Sequence, residues 1–171
     1  MNADAGQAAS HATAARIGRW IISAIPFGWT WIPDFGIQRS GENVTPSNVY
    51  LKEDELLAGD QLTLYIQAQI TLMKRTFKDP VVAGPAPTQF PGAEDSAMLM
   101  LKHQPMDQMS VIQVQHYVRN DKWIGIITLT TLESELLKVR PDFDQFLKLV
   151  RIAPPPEPAP TASIASPYMG R

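Results

Sequence analysis

Between Ile17 and Ile152 the apolar positions recur with two different periods. Leu62, Ile66, Ile70, Met73 and Phe77 follow one another at steps of four and three, the single stripe of an amphipathic helix. Asp60 stands where an N-cap is expected, and Lys78-Asp79-Pro80 ends the pattern, because the residue before a proline avoids the helical region. Phe143, Phe146, Leu147 and Val150 repeat the stripe further on. Pro141 suits the first turn of that second helix, Asp142 and Asp144 then suit its positive dipole end, and Leu132–Lys138 adds a short helical turn before it.

Period two governs the rest. Ser110–Arg119 and Lys122–Thr131 read as a hairpin around Asn120-Asp121, residues that tolerate the positive φ of a two-residue turn. That turn sets Val118 opposite Trp123, Val114 opposite Ile127 and Ile112 opposite Leu129 on one face. On the other face it sets Tyr117 opposite Ile124, Gln115 opposite Ile126 and Gln113 opposite Thr128. Ser47–Lys52 and Ser96–His103 are further strands, the first with Val49 and Leu51 on one side. Ile25–Ile37 suits a strand-and-turn entry, Gly41-Glu42-Asn43 a turn, Val81–Gly92 a Pro- and Gly-rich strand or loop, and Met106-Asp107-Gln108 a loop. Strands, a helix, strands joined by hairpins and a last helix predict an α+β fold, an antiparallel β-sheet flanked by helices.

Composition narrows the classes of function. The chain has 171 residues, with 15 Lys or Arg against 17 Asp or Glu and a net charge of −2. That balance lacks the footprint of a nucleic-acid binder. With no cysteine, disulfides, thiolate catalysis and Cys-ligated metals are excluded, and no lipoprotein anchor is expected. No apolar run reaches the roughly 18–20 residues of a membrane span. Arg16 and Arg19 precede a short apolar stretch, Trp20–Phe27, but no small-x-small cleavage site follows, so a cytoplasmic location is expected. The expected organisation is a loose leader over residues 1–15, one domain over 17–152, and a Pro-rich tail over 153–171.

No catalytic or metal-binding constellation emerges. His11, His103 and His116 share no ligand spacing, and His116 alternates with Val114 and Val118 toward a core. Glu53-Asp54-Glu55 reads as a solvated loop between strand and helix. Neither a P-loop, nor GxGxxG, nor GxSxG occurs. The expectation is a non-enzyme without catalytic residues, metal or cofactor.

The second hairpin face carries the functional clue. Gln113, Gln115, Tyr117, Ile124, Ile126, Thr128 and Thr130 mix apolar side chains with uncharged hydrogen-bonding groups. In the preceding strand Ala97, Leu99 and Leu101 alternate with Met98 and Met100, and Met suits surfaces that adapt to varied apolar partners. One reading is that a helix simply covers this face as core. The other is a partly open face that receives an apolar segment, with Met98, Met100, Gln113, Gln115, Tyr117, Ile124, Ile126 and Thr128 as partner-binding residues. On that reading Ile126→Asp leaves the fold intact and abolishes binding.

The order Ser47-Asn48-Val49-Tyr50-Leu51, an acidic spacer, Leu57–Tyr65, Gln113–Val118, Trp123–Thr131 and Pro141-Asp142-Phe143 resembles the DcrB-related group of the Mog1/PsbP-like superfamily. Within it the chain resembles the Eag chaperones of type VI secretion. That resemblance implies an antiparallel sheet flanked by helices and a homodimer. It also implies binding of apolar N-terminal transmembrane helices of a secreted effector through glutamine on a concave sheet face. Gln113 matches that glutamine, with Gln115 beside it. The alternative is an extracytoplasmic, lipoprotein-like binding module.

Overall fold

A strand that alternates apolar residues on both faces needs a partner layer on each side. The computed structural model, which describes residues 15–39, 41, 46–57, 60–106 and 109–155, supplies both layers. In chain order the described elements are β1 (Ala15–Ile17), β2 (Trp20–Ile22), β3 (Trp29–Ile32), β4 (Gly36–Arg39), β5 (Asn48–Glu55), α1 (Leu62–Thr76), β6 (Val81–Pro87), β7 (Asp95–Met106), β8 (Met109–Asn120), β9 (Trp123–Leu132), α2 (Leu136–Leu149) and β10 (Val150–Ile152). Seven strands form the main sheet in the order β3-β4-β5-β9-β8-β7-β6, and β1-β2-β10 form a small second sheet. All neighbouring strands are antiparallel. The fold is α+β, as the two periods predict. The edge strand β6 carries Pro85 and Pro87, residues without an N–H to leave unpaired.

The first face of the main sheet is buried from β4 to β8, while Met100 of β7 stays exposed near the β6 edge. Ile37, Val49, Leu51, Ile112, Val114, Val118, Ile127 and Leu129 pack against Val139, Phe143 and Phe146 of α2 and against Trp20, Ile22 and Val150 of the small sheet. Gly125 lies on this face, paired with Val118, and Trp20 and Trp123 occupy the space a Cβ would need. Trp29 Nε1 donates to Asp142 Oδ2 at 2.9 Å and ties β3 to α2.

The hairpin turns one residue later than the sequence reading places it. Asn120 pairs with Trp123, and Asp121-Lys122 make the corner, with Asp121 at φ 53°. Val114 therefore faces Leu129 and Gln115 faces Thr128, two positions on from expectation. A shift of two keeps every side chain on its predicted face. Asn120 stays in the strand because its side chain is engaged: its Nδ2 donates to Gly92 O at 2.7 Å, and its Oδ1 accepts the Glu94 N–H at 2.9 Å.

Three local expectations are corrected. Asp60 does not cap α1; Gln61 holds the N-cap position and makes no side-chain cap bond. Pro141 lies inside α2, which begins at Leu136 after a 3-10 turn at Glu133–Glu135, so Asp142 and Asp144 are mid-helix rather than first-turn acids. The proline is tolerated there because it sits on the exposed side, and the carbonyl left without a donor belongs to exposed Leu137. Glu53-Asp54-Glu55 ends strand β5 rather than forming a loop.

The small sheet escapes the sequence reading. Its strands are three residues long, too short to show alternation, and β2 pairs with β10 from the far end of the chain. Ala15, assigned to the leader, pairs with Ile22; Ala153, assigned to the tail, is buried and its N–H donates to Arg19 O at 2.7 Å. The remainder of the expected leader, residues 1–14, and the tail from residue 156 lie outside the described residues.

Phe143 is fully buried at the centre of the first-face core. Phe143→Ala is expected to cost about 3–5 kcal/mol of unfolding free energy, read by urea denaturation.

Candidate functional site

The second face of the main sheet is covered only in part. Leu62, Ile66, Ile70 and Met73 of α1 pack on Leu99, Leu101, Tyr117, Ile124 and Ile126. The cross-strand pairs on this face form successive rows. Asp54, Ile124 and Arg119 make the first; Lys52, Ile126 and Tyr117 the second; Tyr50, Thr128 and Gln115 the third; Asn48, Thr130 and Gln113 the fourth. The last three rows floor an open groove of about 340 Å³, with Gln69 and Met73 of α1 and Phe35 also on its lining. The Phe35 and Tyr50 rings lie 4.5 Å apart and form an aromatic shoulder.

Five of the eight predicted partner residues line this groove: Gln113, Gln115, Tyr117, Ile126 and Thr128. Ile124 is fully buried beneath α1. Met98 and Met100 do not join them, because they pair with His116 and Val114 on the first face. Met98 packs against the α2 core, and its sulfur lies 3.9 Å from Arg140 Nη2. Leu99 and Leu101 are the residues of β7 that share the groove's face. Thr130, named on this face from the alternation, also lines the groove; Phe35, Asn48, Tyr50, Lys52, Gln69 and Met73 complete the lining and were not singled out from sequence. The alternation of Asn48, Tyr50 and Lys52 with buried Val49 and Leu51 is the signal that would have found three of them.

A hydrogen-bonded chain runs up β8 through the groove. Tyr117 Oη donates to Gln115 Oε1, and Gln115 Nε2 donates to Gln113 Oε1 at 3.0 Å. The chain ends at the Gln113 amide nitrogen, which has no protein acceptor among the described residues. Burial pushes the Tyr117 phenol above its ordinary pKa, so it remains a donor. Tyr65 Oη donates to Asp54 Oδ2 at 2.7 Å and bridges α1 to β5. That bond holds the Asp54 carboxyl below its ordinary pKa, while burial and then the same carboxylate raise that of Tyr65.

The fold has solved counterparts. LpqN, involved in cell envelope biogenesis of Mycobacterium tuberculosis, superposes with a TM-score of 0.63 at 12% identity, covering 76% of this chain and 81% of LpqN. PA94 from Pseudomonas aeruginosa, a protein of unknown function and putative regulator, gives 0.59 at 16% identity over 84% of this chain and 97% of its own. The cyanobacterial PsbP, CyanoP, from Synechocystis gives 0.56 at 12% identity over 89% of this chain and 97% of its own. The chain has a Mog1/PsbP-like fold. No family model and no curated protein matches the sequence.

Elsewhere on this frame the charged groups serve structure. A wider hollow of about 830 Å³ at the hairpin turn is lined by Glu53, Asp54, Glu55, Glu94 and Asp121, among others. Glu53 accepts the Arg19 N–H, Glu94 pairs with Arg119 at 3.6 Å, and the Arg19 guanidinium lies 4.7 Å over the Trp123 ring. These contacts fasten the small sheet to β5 and the hairpin, and the loop before β7 to the hairpin. No group of three His, Asp or Glu among the described residues is placed to hold a metal ion. His103 stacks on Phe77 with ring centroids 4.3 Å apart. His116 is buried on the first face, 5.6 Å from the Phe90 ring centroid, and its Nδ1 has no partner among the described residues.

Burial, with Arg140 nearby, lowers the His116 pKa to about 4. The unfolded chain takes up this proton near its ordinary value of 6.5, the folded chain only near 4. Stability contributed by neutral His116 is therefore present above pH 6.5 and lost progressively as pH falls toward 4. The full loss is about 3 kcal/mol. Urea midpoints measured at pH 7 and pH 5 are expected to fall in the wild type and to fall less in His116→Gln.

Proposed function

We propose that the protein is a non-catalytic chaperone or adaptor that holds an apolar, transmembrane-type helix of a type VI secretion effector in the second-face groove before export. The observation that carries this reading is the groove floor itself. Apolar Ile126 and Met73 and the Phe35–Tyr50 shoulder are interleaved with uncharged donors and acceptors, Gln113, Gln115, Thr128, Thr130 and Asn48. A membrane-type helix offers apolar side chains and occasional Ser, Thr or carbonyl groups. This floor matches both. Gln113, the position that resembles the glutamine of Eag chaperones, lies in it with Gln115 beside it. A cytoplasmic location and a homodimer belong to the same proposal.

A second reading, a binding module acting outside the cytoplasm, draws support from the likeness of fold to LpqN, a protein of cell envelope biogenesis. Cell fractionation separates the two readings.

The test needs a groove substitution that spares the core. Ile126→Asp does not qualify. Ile126 is also packed in the α1 cluster, so a carboxylate there charges a buried site and unfolds the protein. Thr128 lies mid-floor and is only half-buried. Thr128→Trp is expected to fill the groove while leaving the unfolding free energy within about 1 kcal/mol of wild type. Co-expressed with an effector's apolar N-terminal segment, the wild type is expected to give a soluble complex by size-exclusion chromatography with light scattering, and Thr128→Trp none. Free protein beside an aggregated segment in the wild-type sample overturns the proposal.

A further inference from the structure

The groove has a direction. Among the described residues Lys52 is the only charged side chain on its lining, and it stands in the second row, with Ile126 and Tyr117. Its nearest carboxylate oxygen, Asp54 Oδ2, is 3.8 Å away and already accepts the Tyr65 hydroxyl at 2.7 Å. The Lys52 side chain is half exposed, so its ammonium keeps donors for another partner. Just beyond this row the Tyr65–Asp54 bond crosses from α1 to β5 and closes that end. The fourth row, Asn48, Thr130 and Gln113, is uncharged, and no such bridge crosses it among the described residues.

The dimensions suit one helix. Tyr117, Ile126 and Gln115 are already buried, so the open floor is Lys52, Tyr50, Asn48, Thr128, Thr130 and Gln113, which takes one flank of a helix about 10 Å across. Three rows give a length of about 14 Å, some nine residues of helix. That is about half of a membrane span, so the groove reads one end of such a segment.

We propose, resting on the guest-helix reading above, that the groove seats its guest with the helix C-terminal end against Lys52. The carbonyls of a helix C-terminus carry partial negative charge, and a terminal or side-chain carboxylate adds to it. Lys52 then supplies the complementary charge at the closed end, and the amides of the third and fourth rows meet the body of the helix.

The test uses the full chain and fluorescein-labelled twelve-residue helical peptides of Leu, Ala and Ser, ending in a free carboxylate or an amide, titrated by fluorescence anisotropy. The carboxylate peptide is expected to bind about fivefold tighter than the amide. Lys52→Met should bring the ratio near one, and Lys52→Glu should invert it, with thermal midpoints confirming that both variants are folded. If both peptides bind wild type equally and Lys52→Met changes neither, the direction is overturned while the groove reading stands. If neither peptide binds, or if both bind Thr128→Trp unchanged, the groove reading fails and the direction with it.

Discussion

One helix is narrower than a seven-stranded sheet, and the rest of the structure follows from that mismatch. Seven strands span about 29 Å, whereas a helix covers a strip of about 10 Å. The first face solves the problem with two coverings, α2 and the small β1-β2-β10 sheet, and becomes core from β4 to β8. Among the described residues the second face has only α1, which packs on Leu99, Leu101, Tyr117, Ile124 and Ile126. Whatever lies beyond the reach of α1 must live with water, and the residues there, Asn48, Tyr50, Gln113, Thr128 and Thr130, are of the kinds that can. The groove is the uncovered remainder of a sheet too wide for its helix.

Where α1 sits therefore decides where the groove lies. The helix is held by its apolar stripe and by the Tyr65–Asp54 bond, and the Tyr65 and Tyr117 rings meet edge to face at 6.2 Å. Tyr117 belongs to both parts: its ring is in the α1 core, and its hydroxyl begins the amide chain along the groove floor. Packing of the helix and polarity of the floor are thus coupled through one residue.

The alternation of β8 and β9 was legible because period two assigns faces whatever the register. A turn placed one residue early changed every partner and moved no side chain across the sheet. The same rule explains the misplacement of Met98 and Met100. Their alternation with Leu99 and Leu101 was plain, but joining one of those sets to the hairpin's second face needs the β7–β8 register. The pairing of Leu99 with Gln115 settles it through contacts between strands. The small sheet was illegible for another reason: Trp20 and Ile22 are buried by Val150 and α2, more than a hundred residues away, and nothing local to a three-residue strand announces that. Of the groove, the β8 and β9 contributions were readable, while Phe35, Gln69 and Met73 come from elements that only the tertiary arrangement brings alongside.

The amide chain also determines what the empty groove costs. Tyr117 satisfies Gln115, and Gln115 satisfies Gln113, so of this series only the last amide nitrogen is left to water. The half-open floor is therefore stable without a guest, and the glutamines are no liability in the unoccupied state. Occupancy changes the balance at one point. A guest that covers the Gln113 amide and offers no acceptor strips it of water, at a cost of about 1–3 kcal/mol. One that presents a carbonyl or hydroxyl there avoids that cost. Apolar surface alone would make the groove adhesive to any exposed helix; an unpaired donor at the end of a satisfied chain favours the guests that can accept from it.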